Sequence, residues 1–158
     1  MKTIKMLFIV FAILSTEIIF AQDTNYLGFS CGYGRKPTSS VKIMDNLVEK
    51  LKFKTIRNNL FAHDNATKCL AVIICEILDK KGYIKLTINE RVEIKKAYKS
   101  ERLVIICSGC TLLKKTTIKN LLNEKYYRSQ KHNYRGCNQN FREQVQRRYI
   151  DKIKGTNI

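Results

Sequence analysis

Residues 65–82 read NATKCLAVIICEILDKKG, and the fold turns on how they are understood. From Cys69 to Leu78 the only charged residue is Glu76. A helix built from that stretch is apolar on nearly every side, the mark of an element enclosed by others. The sequence therefore predicts a central helix that starts near Asn65 and closes at Gly82, a residue suited to the left-handed position at a helix end. Lys80 and Lys81 fall in its last turn, where positive charge complements the helix dipole.

On the amino-terminal side, Met44, Leu47, Val48 and Leu51 repeat at i, i+3, i+4 and i+7, which marks one buried helical face. Ser39 or Ser40 is placed to cap that helix. Phe53, Ile56, Leu60 and Phe61 suggest a second short helix, broken by His63-Asp64-Asn65. On the carboxyl side, Thr87 and Glu90 have the spacing of a capping box. It opens a helix through Tyr98 with Val92, Ile94, Ala97 and Tyr98 as apolar positions.

Leu103–Cys107 (LVIIC) fits either a buried strand or a buried helical turn, and periodicity does not separate the two at this length. Its helical neighbours and the lack of a visible partner strand favour helix. Leu112, Leu113, Ile118, Leu121 and Leu122 fit a further helix capped near Thr116. Phe141, Val145, Tyr149, Ile150 and Ile153 outline a last amphipathic helix. Its outer face is basic: Arg142, Arg147, Arg148, Lys152 and Lys154. The expected fold class is all-α, a small antiparallel helical bundle or short helix stack packed around Cys69–Leu78.

Asp64-Asn65-Ala66-Thr67-Lys68, followed by Ala71-Val72 and Leu78, resembles the inner half of a HEAT-type helical repeat. Residues 53–61 would be its outer helix. Where that family usually has proline after the aspartate, this chain has Asn65. The resemblance covers residues 53–82 and implies a stack of antiparallel helices used for contact, with no catalytic residues to carry over.

Met1–Ala21 reads as a secretory signal, with Lys2 and Lys5 ahead of an apolar run and Ala21 at a plausible cleavage point. The apolar run from Met6 to Leu14 is shorter than the roughly 20 residues of a spanning helix, and Glu17 interrupts any extension of it. Residues 22–40 carry Gly28, Gly32, Gly34 and the single proline, Pro37, and read as a loop or extended lead-in. Residues 41–158 are then one helical domain with a basic carboxyl-terminal helix. The expected location is the periplasm or the extracellular space.

All six cysteines follow the signal, which in an exported chain points to disulfides. Cys69 and Cys75 on one helix would stand about 9 Å apart along the axis and about 120° apart around it. That exceeds the roughly 7 Å that a bridge tolerates between Cα atoms. Cys69 and Cys75 must pair elsewhere or stay reduced and buried, the latter being favoured for at least one of them; the leading disulfide candidates are Cys31, Cys107, Cys110 and Cys137. Two other chemistries compete for them. Cys107 and Cys110 have the C-x-x-C spacing of a thiol-disulfide oxidoreductase, in which one thiolate attacks and the other resolves. Cys107, Cys110, His132 and Cys137 also supply four ligands of the kind that hold structural zinc. The first lacks the β/α context it needs in this reading. Against the second, thiolates in an oxidising compartment pair with each other first.

The 158 residues carry a formal charge of +17, and loss of residues 1–21 would leave +16. Such an excess speaks of partners and solubility, not of fold. No glycine-rich phosphate loop, paired carboxylates or His-centred nucleophile stands out, so no catalytic residue and no cofactor is assigned. His63 beside Asp64 reads as a helix-end residue. The leading functional expectation is a non-enzymatic binding protein that contacts an anionic envelope component, polysaccharide or acidic protein through its basic surface, with peripheral membrane contact as one form of this. Tyr126–Arg148 interleaves basic and aromatic residues as single-strand nucleic-acid binders do, but export argues against nucleic acid as a natural target.

Overall fold

The computed structural model describes residues 25–109, 112–123 and 141–155. In chain order its elements are β1 (Tyr26–Cys31), α1 (Ser39–Glu49), α2 (Phe53–Asn58), α3 (Asn65–Lys80), α4 (Ile88–Ala97), β2 (Leu103–Gly109), β3 (Leu112–Thr117), α5 (Ile118–Leu122) and α6 (Phe141–Gly155). A short 3-10 turn, Asn59–Phe61, continues α2.

The central helix is where the sequence puts it. Cys69 to Cys75 and Leu78 are fully buried, and α3 packs against α1, α2, α4, α5, α6 and the first two strands. Asp64 caps it, accepting from the backbone N–H of Ala66 at 3.1 Å and of Thr67 at 2.9 Å. Ser40 Oγ on α1 donates to the same carboxylate at 3.0 Å, which ties the starts of α1 and α3 together. At the far end Gly82 has φ +80°, and the N–H groups of Gly82 and Tyr83 bond the carbonyls of Asp79 and Leu78. This is a Schellman closure. Helix α1 closes in the same way with Leu51 at φ +52° in the glycine position, its N–H on the Val48 carbonyl and that of Lys52 on Leu47. There the side chain, half-buried against the core, offsets the strain of a left-handed leucine.

The all-α expectation is corrected: the chain has a three-stranded mixed sheet in the order β1-β2-β3. Leu103–Cys107, read as helix, lies in the middle strand, parallel to β1 and antiparallel to β3. Val104, Ile105 and Ile106 are β-branched and suit a pleated, two-sided environment. The partner strands sit in stretches read otherwise. β1 lies within the expected lead-in, and β3 is LLKKTT, which had been assigned to a helix. That helix is only α5, and its cap, expected near Thr116, is Thr117, which accepts from Asn120 N–H at 3.2 Å. Helices α1 to α4 thus form the crossover between two parallel strands, and one face of the sheet rests on α3.

Strand alternation assigns the two faces. Val104 pairs with Thr116 and Leu27 with Ile106, and of these Leu27, Val104 and Thr116 are buried on the α3 side. The opposite face holds Cys107 and the exposed Leu103 and Leu113. Phe141, Val145, Tyr149, Ile150 and Ile153 are all buried, so α6 presents the face expected of it. The proposed signal, residues 1–21, lies outside the described residues.

Candidate functional site

Cys31 and Cys107 form a disulfide between the two parallel strands, with Cα atoms 5.5 Å apart. Gly28 makes room for it. A Cβ at that position would lie 2.6 Å from Cys107 Sγ and closer still to Cys31 Sγ and the Cys107 carbonyl oxygen. Cys69 and Cys75 are free and buried inside α3. Burial pushes both thiols up, Cys75 to about 12, so neither offers a thiolate. Cys110, His132 and Cys137 lie outside the described residues, and with them most of the redox and zinc constellations. Of those sets only Cys107 is placed, and its sulfur is bonded to Cys31. Among the described residues no three His, Cys, Asp or Glu side chains cluster to hold a metal.

His63 lines a cleft with Asn25, Asp64, Asn65, Glu101, Arg102 and Leu103. The Asp64 carboxylate there is committed to capping α3 and to Ser40. Glu101 accepts from Lys119 at 2.8 Å. Both carboxylates that line the cleft with His63 already have partners.

The charge distribution is more informative. Seven ion pairs link described residues. Glu90 takes Arg57 at 2.7 Å, Asp79 takes Arg91 at 2.9 Å, and Glu93 is shared by Lys68 and Lys96. The guanidinium of Arg57 holds the Glu90 carboxyl below its ordinary value against the opposing effect of burial. Two members of the expected basic surface prove to be internal fasteners. Arg142 donates to Glu76 at 2.9 Å and to the Tyr98 hydroxyl at 2.7 Å, while that hydroxyl donates to Glu76 at 2.9 Å. Arg148 grips Asp45 at 2.8 and 2.5 Å and lies 5.2 Å from the Phe29 ring centroid. Arg147 is exposed, while the side chains of Lys152 and Lys154 lie outside the described set.

Six described carboxylates, Asp45, Glu76, Asp79, Glu90, Glu93 and Glu101, are thus drawn into pairs, and many exposed lysines stand outside those pairs. Helices α1 and α3 start together, and past their far ends the Phe53 and Tyr83 rings meet at 6.5 Å. In the chain, the exposed Lys50, Lys52 and Lys54 flank Phe53, and the exposed Lys80, Lys81 and Lys85 flank Tyr83; none of them is in the seven pairs. Lys50, Lys80 and Lys81 complement the carboxyl-terminal dipoles of α1 and α3. Lys52 and Lys54 do the reverse: they sit at the N-cap and in the first turn of α2, which has no side-chain cap and no acidic residue there. Cations at that end oppose the dipole, so folding does not account for them.

Sequence reasoning missed this end because its lysines belong to two separate stretches, residues 50–54 and 80–85. The signal that was legible is Lys52 and Lys54 at the start of a helix. Fold and surface together define a small disulfide-braced α/β domain with a strongly cationic end. No protein-family model, no curated protein and no solved structure matches the chain. Among the described residues, no helix is long and apolar enough to cross a membrane.

Proposed function

We propose that the chain is an exported, non-enzymatic binding protein that holds an anionic partner on its lysine-rich end. The observation that carries this reading is the sorting of charge. Six described carboxylates are tied into ion pairs, and the lysines that flank Phe53 and Tyr83 in the chain have no carboxylate partner among those pairs. The Cys31–Cys107 disulfide supports export, since such bonds persist in oxidising compartments, and so does the signal-like stretch at residues 1–21.

The partner is an envelope component, a polysaccharide or an acidic protein. The test is adsorption of the mature protein to acidic polysaccharide and to anionic vesicles over a salt series. Exposed charges are screened within about 8 Å at physiological ionic strength, so binding should be strong in dilute buffer and fade as salt rises. No binding in dilute buffer, or binding indifferent to salt, refutes the proposal.

A further inference from the structure

Helix α4 carries its apolar residues on two opposite sides. Ile94 and Ala97 are buried against the core, while Ile88 is 82% exposed and Val92 43%. Ile88, Val92 and Lys95 follow at i, i+4 and i+7, a single outward stripe. The helix cannot roll to hide it. Thr87 and Glu90 close a reciprocal capping box, with Thr87 N–H on Glu90 Oε2 at 2.7 Å, and Arg57 holds Glu90 from the inner side. On the flank, Asp79 at the end of α3 accepts from Leu86 N–H at 3.1 Å and from Arg91 at 2.9 Å. The connection that leads into the helix carries Tyr83, 36% exposed, and the exposed Lys85.

We propose that the outward face of α4, with Ile88, Val92 and Lys95, together with Tyr83 and Lys85 in the connection leading into it, docks on an anionic lipid surface. The inference rests on the binding function proposed above and names the partner class. A soluble polyanion would satisfy the lysines but offers nothing to receive an isoleucine held out in water. A bilayer interface supplies both phases at once: anionic headgroups for the ammonium groups and an apolar boundary a few ångströms deeper for the aliphatic side chains. Tyr83 has the amphipathic character of residues that settle at that boundary. Lysine stems can lie along it while their charges stay in the headgroup layer.

The chain contains no tryptophan, so a single introduced indole reports on one place. Ile88→Trp and Tyr33→Trp are made in the full mature protein. Tyr33, 90% exposed, lies in the turn after β1 and serves as the remote control. Each is mixed with phosphatidylcholine vesicles, with vesicles that also contain phosphatidylglycerol, and with vesicles that carry brominated acyl chains. The expected result is a blue shift and bromine quenching for Ile88→Trp with anionic vesicles only, and neither for Tyr33→Trp. In addition, Ile88→Asn should weaken anionic-vesicle binding about tenfold while leaving binding to sulfated polysaccharide unchanged. Vesicle binding with no shift at position 88, equal shifts at both positions, or an Ile88→Asn protein that binds vesicles as before overturns the lipid inference and leaves the cationic-binding reading standing. Polysaccharide binding without vesicle binding has the same consequence. Failure to bind either material in dilute buffer removes both.

Discussion

Arg142 of α6 reaches Glu76 of α3 across 2.9 Å, two residues drawn together from 66 positions apart in the chain. Glu76 is the one charge in the greasy centre of α3, and Arg142 was expected on a solvated basic face. Each explains the other: the carboxylate at the edge of the apolar helix is the anchor that seats α6. Tyr98 completes the set, and burial, then the charge of Glu76, raises its phenol above the ordinary value.

Arg142→Ala should therefore cost about 1.5–3 kcal/mol, the scale of a lost charged hydrogen bond, instead of the few tenths typical of a surface change. A double-mutant cycle with Glu76→Gln, read by urea unfolding, should show coupling of about 0.5–1.5 kcal/mol. Additive effects would return Arg142 to the surface.

The disulfide closes a loop of 76 positions and has Gly28 as its floor. Reduction, or Cys31→Ser with Cys107→Ser, should lower stability by about 2–4 kcal/mol. Gly28→Ala should cost about 1–3 kcal/mol through overpacking. In the doubly substituted protein the alanine should be better tolerated, because two of its three nearest obstacles are the sulfur atoms. Thermal melts of the four proteins check this.

Glu90 sets the acid response. Its carboxyl is lowered in the fold by Arg57 and by the Thr87 N–H, so the stabilisation it brings is fully present above the unfolded value near about 4.3. It is lost as pH falls through the lower folded value. Glu93, lowered by Lys96 and Lys68, acts in the same window. Stability measured by urea midpoint should fall steeply below about pH 4, and Glu90→Gln should flatten that fall while lowering the neutral-pH plateau.

Cys69 and Cys75 have raised thiol values through burial and no access to reagent. Alkylation by iodoacetamide at pH 8 should be negligible in the native protein and complete in denaturant. Native labelling of either on the timescale of an exposed thiol would contradict the placement of α3.

Much of the helical frame was legible because its signals are local. The Thr87–Glu90 box, the Gly82 closure and the 141/145/149/153 stripe of α6 each announce themselves within a few residues. The sheet was not, because its central strand is short and both partners are edges. β1 hides behind Gly28 and a register shift between Leu27 and Ser30, and β3 carries two lysines and two threonines of the sort that protect an open edge. A strand with no recognisable neighbour looks like a buried turn of helix. The exposed Val92 is instructive in another way. It was grouped with Ile94 and Ala97, yet two residues on a helix lie about 200° apart, so one of the pair had to face water. The cationic end escaped notice because contact in space, not sequence, assembles it; the arginines that did look like a surface are spent on Asp45 and Glu76.

The most direct measurement is made on Lys52→Glu/Lys54→Glu, two exposed positions where lysine works against the dipole of α2. Binding to anionic vesicles in dilute buffer and the thermal midpoint are followed together. The expected outcome is binding weakened by about tenfold or more, with a midpoint unchanged or raised by the improved helix start. Undiminished binding, or a loss of binding that merely follows a loss of folding, contradicts a lysine-rich end built to hold an anionic partner.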